Sequence, residues 1–371
     1  MLSGNKSPRY RAVLLAAVLL ALFGYLGPAA GQGITGARAG SAGMLTAVYI
    51  YDGHKTIYRD DDAAKIDQMF YSFALFRKGR VSVSHWKNFK YFQAYIQKHP
   101  GIMPILSVGG WGADGFSQAA ATENGRAAFV DDVLTLMEEN GFKGVDIDWE
   151  YPGSSAAGIK SSPNDKQNFT LLLQDLRSGL DALTAADFIP RRLCIAISGD
   201  PYLIPNMEIG RIGAIVDQVN LMTYNLEQSD TASHHTALYS SHPSALSSDE
   251  CVRAYVNAGI PAGKIMLGAA FFGYRWTTKY TDPLYQPARK KVRLTYSDIA
   301  ELIRKTPDAE KYDNAAQAPY FSDGKVFISY DDARSIAQKG TYAKERGLMG
   351  LFVWEYGEDT TGVLLDAMRS K

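Results

Sequence analysis

Three carboxylates recur at every second position of the stretch Gly144-Val145-Asp146-Ile147-Asp148-Trp149-Glu150-Tyr151-Pro152, interleaved with Val145, Ile147 and Trp149. Alternation with a period of two describes a β-strand, whose successive side chains point to opposite faces. Asp146, Asp148 and Glu150 then share one face, with neighbouring Cα atoms roughly 6.6 Å apart, two strand rises. Like charges that close repel and are costly to bury, so such a row demands a reason. Three would serve: a metal site, an exposed acidic edge, or a catalytic row of carboxyls with displaced pKa values.

A Mg²⁺ or Ca²⁺ site draws oxygen ligands from converging loops, and a strand with a Trp between its acids is a poor frame for one. An exposed edge does not fit the flanking Val145, Ile147 and Trp149, which follow the apolar helical pattern Ala127–Met137. The segment reads as an interior strand ending at Glu150 and broken by Pro152-Gly153. Acids at the carboxyl end of an interior parallel strand are where α/β barrels keep their chemistry. No metal or cofactor is expected. His234, His235 and His242 have a spacing that fits no common ligand set and read as polar loop residues.

The elements that must position this row follow from Leu45 onward. Apolar runs predict strands at Leu45–Tyr51, Gln68–Phe76, Met103–Gly109, Gly144–Trp149, Leu193–Ser198, Gln218–Tyr224, Ile265–Phe272 and Met349–Trp354. Helical patterns at Trp86–Lys98, Gly125–Asn140, Asp165–Thr184, Glu208–Val216, Ser247–Ala258, Asp331–Arg346 and Gly362–Arg369 fill most gaps. Strands alternating with helices predict an α/β fold, a (β/α)₈ TIM barrel. The alternative, a doubly wound open sheet, lacks a Gly-rich loop after its first strand. The alternation lapses over residues 275–330, where Asp323-Gly324 marks a hairpin turn. That segment is expected to be a small α+β insertion domain between 44–274 and 331–371 of the barrel.

The acid row resembles the catalytic signature of the family 18 glycoside hydrolases, the chitinases and their relatives, read as D-x-x-D-x-D-x-E. Lys143 stands where the first Asp usually does. Further stretches carry the likeness: Ser107-Val108-Gly109-Gly110-Trp111, the helix opening at Asp165, Met222-Thr223-Tyr224-Asn225, Lys264–Gly273 and Met349–Gly357. Asn225 replaces the Asp common in the third of these. Together they cover about residues 44–370.

The resemblance implies a retaining hydrolysis assisted by the substrate's own 2-acetamido group, on chitin or chito-oligosaccharides. Glu150 would be the general acid. Asp148 would orient the acetamide, Asp146 would titrate as a pair with Asp148, and Tyr224 would bond the acetamide oxygen. Ser107 would bond Asp146. Trp354 would floor the central subsite, with Met222 facing as Tyr224 does and Asn225 beside them. Trp111 would be a platform on the leaving-group side. Tyr49 and Phe73 would line the inner subsite, or equally pack the barrel core. Two other functions stand beside this one. They are an endo-β-N-acetylglucosaminidase acting on N-glycans or peptidoglycan, and a non-catalytic chitin-binding lectin.

The remaining features bound the setting. Lys+Arg and Asp+Glu both number 39, which removes the electrostatic case for nucleic-acid or anionic-membrane partners. Lys6, Arg9 and Arg11, the apolar run Ala12–Leu26 and Ala29-Ala30-Gly31 have the plan of a secretory signal peptide over 1–31. The run is short for an uncleaved membrane anchor, the competing reading. A Gly/Ala-rich spacer over 32–43 follows. Secretion, to the extracellular space or periplasm, and a monomer are the expectations. Cys194 and Cys251 are the two cysteines. Both read as buried thiols, with a single bridge as the alternative.

Overall fold

The computed structural model describes residues 43–227 and 230–369. The expected signal peptide, and the spacer as far as residue 42, lie outside the described residues. In chain order the strands are β1 (Leu45–Tyr51), β2 (Gln68–Arg77), β3 (Arg80–Ser82), β4 (Met103–Gly109), β5 (Gly144–Asp148), β6 (Arg192–Ser198) and β7 (Gln218–Met222). They continue as β8 (Ile265–Ala270), β9 (Phe272–Thr277), β10 (Arg289–Thr295), β11 (Glu310–Asp313), β12 (Ala318–Ser322), β13 (Val326–Ser329) and β14 (Gly350–Trp354). Strands β1, β2, β4, β5, β6, β7, β8 and β14 pair in parallel, and the sheet closes where β1 meets β2. The architecture is a (β/α)₈ barrel.

The alternation along each strand sorts side chains between two cores. Ala47, Tyr49, Phe70, Ile105, Cys194, Met266 and Phe352 fill the lumen. Their neighbours, such as Val48, Met69, Leu106, Leu193 and Val353, pack outward against the helices. Helices Phe89–Lys98, Glu123–Glu139, Asp165–Asp187, Ile209–Ile215, Ser248–Asn257, Ala333–Glu345 and Val363–Met368 lie between successive barrel strands or close the chain. Their starts are written locally. Thr122 accepts from the Gly125 amide, Ser247 accepts from the Glu250 amide, and Asp332 with Ser335 forms a reciprocal cap.

β5 places its acids by the same rule. Val145 and Ile147 join the outer core, so Asp146 and Asp148 point into the lumen. A polar ladder crosses the floor beneath them. Gln68 and Gln218 exchange hydrogen bonds of 2.9 and 3.0 Å, Gln218 donates to Asn220, and Asn220 donates to the Tyr49 hydroxyl at 2.8 Å. Each amide is fully or almost fully buried, and the ladder satisfies groups that would otherwise be costly there.

A second sheet, in the order β10-β9-β13-β12-β11, is antiparallel and carries helix Tyr296–Lys305. The strand predicted over Ile265–Phe272 breaks at Phe271, whose amide turns to the Trp354 carbonyl. Phe272 then opens β9. A continuous apolar run hides that boundary in the sequence. Asp323-Gly324 sits between β12 and β13, with Gly324 at φ 84°. Cys194 and Cys251 are both free and buried. His234 and His235 lie in the loop after β7, where their reading as polar loop residues places them. Both are buried, because β9 covers that loop: His235 packs 5.1 Å from the Phe272 ring and 5.3 Å from Tyr274. No described helix is long and apolar enough to cross a membrane.

Candidate active site

At the carboxyl ends of the strands lies a cleft of about 520 Å³, the face where barrels of this kind carry their loops. Asp148 and Glu150 line it. Asp146 lies beneath, fully buried, where Ser107 donates to its Oδ2 at 2.7 Å and Tyr49 donates to the same oxygen at 2.9 Å. Asp146 Oδ1 and Asp148 Oδ1 are buried without a protein partner. Trp149 turns away from the cleft, stacked on Phe116 at 5.4 Å and edge-on to Phe169. It thereby clamps the strand end from which Glu150 projects.

Burial dominates the electrostatics of the row. It raises Asp146 to about 7, against the pull of the two hydroxyl donors. It raises Asp148 well above the usual carboxylate range, helped by the charges of Glu150 and then Asp146. It raises Glu150 to about 7, with the Tyr151 hydroxyl pulling the other way. A carboxyl raised to near neutrality that lines a cleft is equipped to give and retrieve a proton.

The approach of β4 to β5 depends on two glycines. Gly109 and Gly110 have φ of 123° and 89°, and the Gly110 amide donates to the Asp148 carbonyl at 2.9 Å. A Cβ on Gly109 would stand 2.0 Å from that carbonyl oxygen, so a side chain there would displace the row.

Aromatic faces make the rest of the cleft. Trp354, at the end of β14, stacks on Phe73 at 5.6 Å and 19°, with Tyr51 at 6.0 Å. Trp111 stands 64% exposed beside Tyr151. Tyr224 is buried against the edges of Phe272 and Phe352, and Met222 shares the lining. Asn225 adopts a left-handed conformation, φ 59°, and its Oδ1 accepts from the Tyr274 hydroxyl at 3.0 Å. Tyr49 lines the floor and also packs on Phe70, so it belongs to both cleft and core. The structure therefore brings Tyr49, Phe73, Trp111, Asp148, Glu150, Met222, Tyr224, Asn225 and Trp354 to one cleft, with Ser107 and Asp146 under it. Lys143 is exposed at the opposite end of β5, where its charge acts on Asp187.

Tyr274 and Arg293 line the cleft but were not identified from sequence, and nor was Tyr151, which contacts Glu150 and Trp111. Tyr274 and Arg293 come from the second sheet, and Arg293 ends a basic run, Arg289–Arg293. Tyr151 follows the acid row and looks like the start of a loop.

A polar floor, a row of raised carboxyls and stacked aromatic walls define a carbohydrate-active barrel. Comparison with known proteins agrees. The profile of Glycosyl hydrolases family 18 matches residues 46–359. Chitinase A1 of Niallia circulans is 33% identical over 300 residues, 74% of this chain and 43% of its own length. The chain thus spans less than half of that relative. The class V chitinase of Arabidopsis thaliana is 28% identical over 85% of this chain and 86% of its own. Among solved structures, a family 18 N-acetylglucosaminidase from Paenibacillus barengoltzii is 36% identical. It superposes with a TM-score of 0.83 over 88% of this chain and 98% of its own. The chain belongs to glycosyl hydrolase family 18, and it is a glycoside hydrolase.

Proposed function

We propose that the chain hydrolyses the β-1,4 links between N-acetylglucosamine units of chitin or chito-oligosaccharides, with retention, through the substrate's own acetamido group. The observation that carries this reading is the row itself. Asp146, Asp148 and Glu150 face one way on an aromatic cleft, and the cleft lining offers no further carboxylate except Asp52. Asp52 is taken up by the Lys87 and Asn88 amides at 2.9 Å each. With no free nucleophile in reach, the acetamido carbonyl is the group left to attack the anomeric carbon.

Glu150, protonated near neutral pH, gives its proton to the leaving oxygen and then takes one from water. Asp148 orients the acetamide N–H and offsets the positive charge of the oxazolinium ion. The unpartnered oxygens of Asp146 and Asp148 suit a proton held between them, released toward Asp146 as Asp148 takes up the acetamide. Tyr224 bonds the acetamide oxygen, with Met222 and Asn225 beside it. Trp354 floors the central sugar and Trp111 supports one on the leaving-group side, with Tyr49 and Phe73 lining the inner subsite. Residues 275–330 act as an insertion that builds one wall. Export by a signal peptide, action as a monomer and freedom from any membrane partner complete the reading.

A second reading, release of single N-acetylglucosamine units, is favoured by the likeness to the Paenibacillus N-acetylglucosaminidase. N-acetylchitohexaose incubated with the protein and with Glu150→Gln separates these outcomes. Short oligomers from the wild type alone support chitinase action, and monomer alone supports the second reading. Binding by both proteins without cleavage means a lectin. Neither binding nor cleavage moves the search to N-glycans.

A further inference from the structure

The β9–β10 ribbon places two cations on two aromatic rings. Lys291 Nζ sits 3.8 Å from the Tyr274 ring centre, and the Arg293 guanidinium carbon sits 4.2 Å from that of Phe272. Arg293 and Tyr274 are register partners across the ribbon. Each cation meets an acid from a different barrel loop. Lys291 pairs with Glu227 after β7. Arg293 makes a forked pair with Glu358 after β14, at 2.5 and 2.8 Å. Tyr274 adds its bond to Asn225. These contacts fix the ribbon to the loops on both sides of β8.

A fastening alone does not need its cation in the cleft, yet Arg293 lines the cleft with Asp148, Glu150 and Trp354. Its side chain is 36% exposed. A guanidinium has five N–H donors, and the forked pair with Glu358 leaves others free. Its plane is set twice, by the carboxylate fork and by the Phe272 face, so little freedom is lost when a ligand binds.

We propose that Arg293 is a specificity-determining residue. It donates hydrogen bonds to an acetamido carbonyl of a sugar other than the one held by Asp148 and Tyr224. This rests on the chitin reading above. A donor-only cation donates to that carbonyl, whereas a deacetylated unit presents an ammonium with no acceptor and a like charge. The cleft therefore selects N-acetylated units at two positions, the cleavage point and the subsite that Arg293 faces.

The test compares wild type, Arg293→Met and Arg293→Lys on N-acetylchitotetraose and on partially deacetylated chitosan, with the cleaved fragments sequenced. In Arg293→Met, KM for the tetramer is expected to rise about tenfold, the loss of one charged hydrogen bond, while kcat stays within about twofold. Acetylated units remain obligatory at the cleavage point, and the second acetylated position disappears from the fragments. Arg293→Lys keeps the cation and its donors but not the fork with Glu358 or the set plane, so it is expected to retain part of the selection. An unchanged fragment pattern in both variants overturns the proposal, whatever happens to their thermal stability. A wild type that cleaves neither substrate overturns the chitin reading, and this inference with it.

Discussion

The Tyr49 hydroxyl donates to Asp146 Oδ2 at 2.9 Å while accepting from Asn220 at 2.8 Å. It is the joint between the polar floor of the barrel and the carboxyl row, and Ser107 is the other donor to Asp146. Tyr49→Phe leaves a buried Asn220 donor unpartnered and takes away one of the two hydroxyls that stabilise the Asp146 carboxylate. The expected outcome is a loss of about 1–3 kcal/mol in stability and roughly tenfold in kcat. The acidic limb of the kcat/KM profile should move to higher pH, because Asp146 then holds its proton more tightly. An acidic limb that stays in place would separate Tyr49 from the titration of the row.

Raised carboxyls also make stability depend on pH. Asp146 and Glu150 are raised to about 7 in the fold from ordinary values near 4. The unfolded chain therefore releases these protons first as pH rises, and stability is lost between about pH 4 and pH 7. Glu150→Gln removes one contribution, worth about 1–3 kcal/mol. Thermal melts at several pH values should show the variant more stable than wild type at pH 8 and equal to it near pH 4. A gap of the opposite sign at pH 8 would mean that Glu150 is not held protonated by burial.

Asn225 tests the charge balance of the cleft. Its left-handed backbone, φ 59°, is one that Asp also tolerates, so Asn225→Asp changes charge with little strain. The added negative charge should raise the working pKa of Glu150 and move the basic limb of the pH–rate profile upward. The effect should shrink with added salt. Movement of the basic limb to lower pH would contradict the assignment.

The two tryptophans should behave differently. Trp354 is stacked at the floor with Phe73, and Trp354→Ala is expected to lower kcat/KM by about tenfold or more for every oligomer. Trp111, 64% exposed at the rim, should matter only for substrates long enough to cover it. Trp111→Ala should raise KM for the hexamer and leave shorter oligomers near wild type. Rates against chain length check this contrast.

How far these features could be read beforehand depends on how local each one is. The barrel strands show as apolar runs between helices, and β5 shows its three acids because alternation places them on one face within a few residues. Gly109-Gly110 announces a close approach, though not that the neighbour is the Asp148 carbonyl. The polar ladder was illegible: Gln68, Gln218 and Asn220 each look like an ordinary polar residue on a strand, and only closure of the sheet brings them together. Arg293 and Tyr274 were hidden in the same way, since their place in the cleft depends on Glu358 and Asn225 in distant loops. The burial of His234 and His235 likewise depends on β9, which covers their loop.

Cleavage assisted by the substrate leaves a stereochemical record, so the most direct measurement is the anomer released first. N-acetylchitohexaose cleaved by wild type and followed by proton NMR before mutarotation should show the β-anomer at the new reducing end, and Glu150→Gln should show no product. Release of the α-anomer would contradict the account, because it requires water to attack directly from the opposite face with a second carboxylate as base.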